Sequence, residues 1–359
     1  MSSAWHHAPP PRSRSGVADY AETLGSALDR FGRPGVDLYH LGNNALHAGI
    51  YRQALEKPGV VVLHDAVLHH FFLGSLTREQ YVGEFVFNYG EWRRHLAEEL
   101  WAERSSSGVD PRYFEYPLIR RVAETSRAVI VHNPGAARMA REHGARDFHV
   151  IPHFFEPAAL PDHADTARFR QWLGVAQGTT LFGIFGYLRE TKRVIPCLDA
   201  FRRLHAALPG TALLLAGDAV STDLGRLLTT AADHPAIHRL GHLSESDLRT
   251  AASAIDCCLN LRYPGAGETS GIAIRMMGTG KPVMLTAGEE SGAIPPPACL
   301  RIPPGVAEAA GLFEYMVMVA QFPGIAKEIG AQARRHILEQ HSLEAVGRKY
   351  WQVLCSAAS

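Results

Sequence analysis

The stretch R-Y-P-G-A-G-E-T-S-G-I-A-I-R-M-M-G-T-G-K-P-V-M-L, Arg262 to Leu285, decides the fold that the sequence predicts. It follows the mostly apolar run Asp256–Leu261, which is typical of a buried strand. Ser270 before the next apolar segment is a helix-capping signal, and Gly278 is typical of a helix end. The run Val283–Leu285 then predicts another strand. Strand, helix and strand in this order indicate a βαβ unit of a parallel sheet.

The loop in this stretch has the features of a turn that holds a ligand. Gly265 and Gly267 are small enough to let a ligand approach the backbone, and a helix start offers unpaired N–H groups and a positive dipole end to a phosphate. An ordinary capped turn is the alternative, and the glycines alone favour it. Charged and hydroxyl side chains at the same helix start favour the ligand site instead: Glu268, Thr269, Ser270 and Arg275.

Length and composition restrict the classes of protein that are possible. The chain has 359 residues, of which 46% are hydrophobic and 20% charged, so we expect two domains with substantial cores. A formal net charge of zero argues against broad nucleic-acid binding. No apolar run is long enough for a membrane span, and the start resembles no secretory signal. Five cysteines without C-x-x-C spacing predict reduced thiols in a cytoplasmic protein.

Two apolar runs in the first half end in a histidine and a polar residue. Val60–Leu63 is followed by His64, and Ala128–Val131 by His132. Their fully apolar composition predicts strands of a parallel sheet that is covered on both faces. Because ligands bind beyond the carboxyl ends of such strands, we expect these polar ends to lie on one wall of a cleft. A structural hydrogen bond is the more common role of a lone histidine there.

The order of elements predicts three segments. Residues 1–160 are expected to form an N-terminal Rossmann-like domain, and residues 161–335 a C-terminal Rossmann-like domain. Residues 156–165, rich in proline and acidic residues, read as the linker. Residues 336–359 predict a helix that crosses back to the first domain.

A second candidate site is G-I-F-G-Y-L-R-E-T-K-R, Gly183 to Arg193. It lacks the third glycine of a dinucleotide-binding loop and the Gly-Lys-Ser/Thr of a Walker loop. The cations Arg189, Lys192 and Arg193 oppose the helix dipole at this helix start, and a bound phosphate would offset that cost. A solvated basic helix end is the alternative. We favour it for Arg193 and favour phosphate binding for Lys192.

Taken together, these motifs resemble the retaining GT-B glycosyltransferases of the large glycogen-synthase-like type, family 4. The segments that carry the resemblance are G-Y-L-R-E-T-K (186–192), L-L-L-A-G-D (213–218), G-H-L-S-E-S-D-L (241–248) and G-E-T-S-G-I-A-I-R-M-M-G-T-G-K-P-V (267–283), with S-G-V-A-D-Y (15–20) and V-V-L-H-D (61–65) in the first half. The resemblance implies an α/β protein of the GT-B class, with two Rossmann-like βαβ domains facing each other across a cleft. Residues 1–160 would then lie on the acceptor side, and residues 161–335 would bind the nucleotide sugar.

The implied activity is transfer of a hexosyl group from a nucleoside-diphosphate sugar to an acceptor hydroxyl, with retention of the anomeric configuration. Carried over by motif, the catalytic residues are His64, Lys192 and Glu268, and the donor-binding residues are Gly16, Arg189, Thr269, Ser270, Gly271 and Arg275. The nucleotide sugar is a co-substrate, and the resemblance implies no cofactor and no metal. The acceptor class stays open among a glycan, a lipid-linked glycan and a small metabolite, as does peripheral attachment to the inner membrane face.

Three departures from the family pattern bear on this assignment. Tyr187 stands where the family has an arginine for the diphosphate, so either Arg189 replaces it or that contact is lost. Arg275 stands at the second Glu of the E-x7-E motif, which contacts the ribose in the family. No apolar strand precedes Gly16, and Ala4–His7 is a poor substitute. Two other functions are therefore considered: a nucleotide-sugar-binding protein without activity, and a Rossmann-type oxidoreductase or epimerase, which the absent G-x-G-x-x-G disfavours.

Overall fold

A computed structural model describes residues 5–10, 13 and 15–359, and it divides the chain into two compact units. The first unit consists of residues 1–154, 264–269 and 341–359, and the second of residues 155–263 and 270–340. Each unit contains one parallel β-sheet with helices packed on it.

The elements of the N-terminal segment alternate between strands and helices. The strands are β1 (His6–His7), β2 (Leu38–Leu41), β3 (Val60–Leu63), β4 (Ala128–Val131) and β5 (Phe148–Val150). The helices are α1 (Gly16–Leu28), α2 (Ala48–Glu56), α3 (His69–Ser75), α4 (Arg78–Tyr89), α5 (Arg94–Ala102), α6 (Arg112–Glu115), α7 (Arg120–Thr125) and α8 (Pro134–Glu142).

The second unit follows the same alternation. Its strands are β6 (Thr180–Phe185), β7 (Thr211–Ala216), β8 (Ile237–Leu240), β9 (Cys257–Asn260), β10 (Val283–Thr286) and β11 (Leu300–Ile302). Its helices are α9 (His163–Trp172), α10 (Val194–Ala207), α11 (Thr222–Ala231), α12 (Glu245–Ala254), α13 (Gly271–Gly278), α14 (Glu308–Gln321) and α15 (Pro323–Gln340). A final helix, α16 (Leu343–Ala358), belongs to the first unit.

The sheet of the first unit is buried on both faces, as its apolar strands predict. Its strands are parallel in the order β1-β2-β3-β4-β5. Val61 and Val129 face a core built with helices α2–α5, α7 and α8, whereas Val60 and Val62 face α1 and α16. This division follows from the alternation of side chains along a strand.

The sheet of the second unit has a point at which the strand order reverses. Its parallel strands lie in the order β11-β10-β9-β6-β7-β8, so β6 and β9 are neighbours although the chain leaves them in opposite directions across the sheet. In doubly wound sheets ligands bind outside the carboxyl ends of the two strands at this switch point. The loops that follow β6 and β9 therefore mark the position of a site within this unit.

The final helix completes the core of the first unit. Tyr350 and Leu354 of α16 are buried among the side chains of α1 and of the sheet, and the Tyr350 hydroxyl lies 3.1 Å from that of Tyr20. No single helix among the described residues has the length and apolar character needed to cross a membrane, although a pair bent by 105°, Gly305–Gln321 with Pro323–Gln340, passes that test jointly.

Most strands lie where apolar runs predict them, and two short ones were missed. The sequence offered no convincing strand before Gly16, but His6 and His7 pair in parallel with Leu38 and Tyr39. This expectation was wrong because a histidine takes the place of an apolar residue here and bonds to a histidine of the neighbouring strand. The edge strand β11 was missed because it has three residues, of which the central one is Arg301.

Candidate functional site

The start of α13 is built as the sequence predicts. Ser270 is the N-cap, and its hydroxyl accepts a hydrogen bond from the N–H of Ala273 at 3.3 Å. Gly271 is the first helical residue, so its N–H belongs to the group that a helix leaves unpaired at its start. The guanidinium of Arg262 donates to the same Ser270 hydroxyl at 3.3 Å. A cation therefore lies at a helix start that already favours negative charge.

Lys192 lies at the carboxyl end of β6, next to α13. Its side chain is buried, with 6% of the residue exposed, and its ammonium donates to the carbonyl of Phe185, the last residue of β6. A Cβ added to Gly186 would lie 3.1 Å from the Lys192 Nζ and 3.5 Å from Ile272 in the first turn of α13. The ammonium and the helix start thus converge beside Gly186, whose positive φ of 80° favours glycine.

The other residues of the phosphate motif are more exposed. Arg189 precedes a short 3-10 helix, residues 190–192, and its side chain is exposed to solvent. Tyr187, the departure from the family pattern, is also exposed. Besides Lys192, the structure places the cation of Arg262 at the α13 start, and the donor-binding role of Arg189 stays a prediction. Sequence reasoning did not single out Arg262, because its contact with Ser270 depends on the path of the loop between them.

Arg193 has a structural role that neither interpretation of the sequence anticipated. Its guanidinium makes a two-pronged ion pair with Glu308, at 2.9 Å from Nε to Oε1 and 2.6 Å from Nη2 to Oε1, with the second oxygen 3.0 Å from Nε. Glu308 is only 3% exposed. The solvated helix end favoured for Arg193 is wrong, because a buried carboxylate 115 residues away neutralises this cation.

We expect Arg193→Ala to lower the free energy of unfolding by about 2–4 kcal/mol, because it leaves the Glu308 carboxylate buried without its partner. Urea denaturation followed by circular dichroism measures this change. The control is Arg348→Ala, which removes an exposed pair with Glu344 and should cost less than about 1 kcal/mol. A loss of similar size in both variants would contradict the structural role of the buried pair.

Arg275 is paired as well. Its guanidinium donates to Glu245 of α12 at 2.7 Å, and both side chains are largely exposed. The carboxylate of Glu245 thus lies next to Arg275, which stands where the family pattern has a glutamate. The two helices α12 and α13 thus carry a charge pair in place of the single acid that the family pattern expects.

Glu268 and Thr269 are held by the first unit, although the sequence around them belongs to the second. The carbonyl of Ala266 accepts hydrogen bonds from the N–H groups of Ala66 and Val67, at 2.8 and 3.0 Å. One carboxylate oxygen of Glu268 accepts from the Ala266 N–H at 2.7 Å. The loop 264–269 is thereby fixed at the carboxyl end of β3.

The sequence placed His64 and His132 on one wall, and the structure brings them together in a longer row. Nε2 of His6 lies 2.7 Å from Nε2 of His40, and Nδ1 of His40 lies 2.9 Å from Nε2 of His64. Nδ1 of His64 lies 3.3 Å from Nε2 of His132, whose Nδ1 lies 2.9 Å from the Ile151 carbonyl. We call these four residues the histidine row. His6 and His40 were not recognised from the sequence, where they are 34 positions apart.

One carbonyl determines the tautomer of all four rings. The carbonyl of Ile151 can only accept, so Nδ1 of His132 carries a hydrogen and its Nε2 accepts from His64. The same logic makes Nδ1 of His64 a donor and its Nε2 an acceptor for His40. Each ring is therefore neutral. His40, His64 and His132 each use one donor and one acceptor, and His6 donates through its Nε2. The predicted bond from His64 to a sugar hydroxyl would require one of these two bonds to open, and that role stays a prediction.

Burial keeps the histidine row uncharged. It lowers the pKa of His132 to about 4, and burial together with the neighbouring His7 lowers that of His6 to about 4. Burial first, and then the surrounding histidines, hold the pKa values of His40 and His64 well below the usual value of 6.5. The ring of Tyr20 packs edge-on against His64 at 4.9 Å between centroids and closes the row from the side of α1.

Gly16 is the first residue of α1, with Ser15 as its N-cap. A Cβ added to Gly16 would meet no described atom within 4 Å, and its φ is not in the left-handed region. Packing among the described residues therefore gives no reason for a glycine here. The predicted approach of a ligand to Gly16 stays a prediction.

Sequence comparisons add no family: no family model matches the chain, and no curated protein matches it. Solved structures do match. Over 87% of this chain and 82% of the other, it is similar to HepE from Anabaena in complex with UDP-glucose, with a TM-score of 0.62 and 17% identity. It is similar to WaaG, a glycosyltransferase involved in lipopolysaccharide biosynthesis, over 97% and 98% of the two chains, with a TM-score of 0.63 and 13% identity. The chain has the GT-B fold.

A third GT-B match, sucrose-phosphate synthase from Thermosynechococcus elongatus, has a TM-score of 0.63 and 17% identity over 94% of this chain and 78% of the other. The predicted fold class is confirmed as an α/β protein with two parallel sheets. At these identities the likeness establishes the GT-B fold, and the chemistry has to be argued from the side chains. Those of the second unit suit an anion, because Lys192 and a helix start converge beside Gly186.

Proposed function

We propose that this protein is a glycosyltransferase that moves a hexosyl group from a nucleoside-diphosphate sugar to an acceptor hydroxyl, with retention of configuration. The observation that carries the proposal is the convergence of the Lys192 ammonium and the first turn of α13 beside Gly186, at the switch point of a doubly wound sheet. The fold supports it, because HepE, which shares the GT-B fold, is seen in complex with UDP-glucose.

The chemical requirement is to stabilise the leaving diphosphate. Negative charge grows on its oxygens as the glycosidic bond breaks, and donors fixed in advance at that place lower the barrier most. Lys192 and the N–H groups of Gly271 and Ile272 are proposed to supply positive charge there, and Arg262, which bonds to the Ser270 hydroxyl, adds a second cation. We propose no metal for this step, since these groups neutralise the diphosphate themselves.

The remaining roles follow from the resemblance. Glu268 is proposed to hold the donor sugar, with Thr269 and Gly16 close to the donor. A phosphate oxygen of the leaving group is proposed to take the proton of the acceptor hydroxyl as the acceptor oxygen bonds to the sugar carbon. The bond from that carbon to the leaving diphosphate breaks on the same face, so the configuration is retained.

Calorimetry with UDP, GDP and ADP tests the donor site on the purified protein. We expect micromolar binding of one of the three, and release of that nucleotide from the matching sugar donor when an acceptor is supplied. Proton NMR of the product then reports the anomeric configuration. If none of the three nucleotides binds, the proposal is overturned. If a nucleotide binds but its sugar donor stays intact with every acceptor supplied, the protein binds nucleotide sugars without transferring them.

A further inference from the structure

Residues 264–269 belong to the first unit, although the residues on either side of them belong to the second. Besides the two N–H groups that bond the Ala266 carbonyl, the side chain of Asn133 holds this loop. The amide nitrogen of Asn133 donates to the carbonyl of Gly267 at 2.9 Å and to the hydroxyl of Thr269 at 3.0 Å. The two residues that flank Glu268 are therefore tied to the same amide group.

The oxygen of the Asn133 side-chain amide is also fixed. Its Oδ1 accepts from the N–H of Ala136 at 2.8 Å and caps α8, and only 2% of the residue is exposed. The orientation of the amide is determined, since the N–H of Ala136 needs an acceptor and the Gly267 carbonyl needs a donor. Both N–H groups and the oxygen are thus in use.

The backbone beside Glu268 has little freedom to move. Gly267 has a φ of 72°, and an added Cβ would lie 2.7 Å from the Cβ of Ala66. The loop accordingly lies flat against the residues that follow β3. The carboxylate of Glu268 is therefore carried between two residues that Asn133 holds.

We propose that Asn133 is a positioning residue for Glu268: its amide holds Gly267 and Thr269 and thereby sets the direction of the carboxylate between them. The inference rests on the proposed function for its catalytic consequence, because Glu268 is there the residue that holds the donor sugar. It adds a residue of the first unit, 135 positions earlier in the chain, to the groups on which transfer depends.

The variant that tests it is Asn133→Asp. The introduced carboxylate keeps the cap on α8, because an Asp accepts from a helix N–H as well as an Asn does. The carboxylate cannot donate a hydrogen bond to the Gly267 carbonyl, so two hydrogen-bond acceptors face each other. We expect kcat to fall about 10²-fold, the size of effect that misplacement of a reacting group produces. The dissociation constant of the nucleotide should change less than threefold, because Lys192 and α13 are untouched.

A double-mutant cycle separates positioning from general damage. If Asn133 acts through Glu268, Asn133→Asp has no further effect on kcat in a Glu268→Gln background. Asn44→Asp is the matched control, since Asn44 caps a short helical turn by accepting from the Leu46 N–H at 3.0 Å and receives the same chemical change. Additive losses in the cycle, or an unchanged kcat in Asn133→Asp, would overturn the proposal.

Hydrogen exchange keeps the test independent of the proposed function. In Asn133→Asp we expect peptides that cover residues 264–269 to exchange at least tenfold faster, while those that cover 134–142 stay within twofold of the wild type. Unchanged exchange in the loop shows that Asn133 does not hold it, whatever the enzyme does. If the wild type binds no nucleotide, the proposed function is wrong. The exchange result alone then decides whether Asn133 holds the loop.

Discussion

Replacement of Lys192 by alanine is expected to lower turnover by on the order of 10²-fold, the usual effect of removing one preorganised donor from a developing negative charge. The buried ammonium lies between the end of β6 and the first turn of α13, where no water molecule can easily take its place. Nucleotide affinity should fall as well, because the diphosphate carries its charge before the reaction begins. Initial rates and calorimetry on Lys192→Ala measure the two effects separately.

Two neighbouring cations serve as controls for this variant. Arg193→Ala removes a charge that Glu308 already neutralises, so it should lower stability and leave nucleotide affinity unchanged. Arg189→Ala removes an exposed side chain and should have a smaller effect than Lys192→Ala. Melting temperatures of all three variants show whether loss of the Phe185 contact has unfolded the site. If Arg189→Ala alone abolished binding, the phosphate site would have to be moved away from Lys192.

Acid is expected to destabilise the first unit well above the pH at which carboxylates titrate. The folded pKa values of His6 and His132 are lowered to about 4, so both rings are neutral when folded and charged when unfolded below pH 6.5. Their stabilising effect is complete above pH 6.5 and is lost as the pH falls towards 4. At pH 5 each group then costs about 2 kcal/mol, from 1.4 kcal/mol for each pH unit. Two such groups amount to a large share of a typical 5–15 kcal/mol.

The geometry of the histidine row strengthens this expectation. A second proton on His64 would turn its Nε2 into a donor that faces the Nδ1–H of His40, so one protonation breaks a bond as well as adding a charge. Urea denaturation at pH 7.5, 6.5, 5.5 and 5 measures how the free energy of unfolding depends on pH. His64→Gln keeps a donor and an acceptor without a titrating ring and should make the dependence of stability on pH less steep. A flat wild-type curve would contradict the prediction.

The sequence was sufficient wherever the signal is local. Val60–Leu63 and Ala128–Val131 are strands because a run of apolar residues has to be covered on both faces. The helix Gly271–Gly278 begins and ends where its capping residues predict. The phosphate-binding role of Lys192 stays a prediction, and the solvated helix end favoured for Arg193 was wrong.

What the sequence could not show depends on contacts between distant positions. Glu308 neutralises Arg193, and Asn133 holds Gly267, across 115 and 134 residues, respectively. Neither partner stands in a motif, and each pair consists of residue types that are common on protein surfaces. His6 was missed for a related reason, since a strand pattern assigns it to no apolar face. The proposed roles of Gly16, Thr269 and Arg275 stay predictions that binding experiments have to test.

The place of α16 has a consequence for how the protein is made. Val346, Tyr350 and Leu354 fill the core of the first unit, yet the ribosome adds them after the whole of the second unit. While residues 155–340 are being synthesised, the face of the first unit's sheet that α16 covers is therefore still exposed. The core of the first unit can therefore be completed only after the second unit has been synthesised.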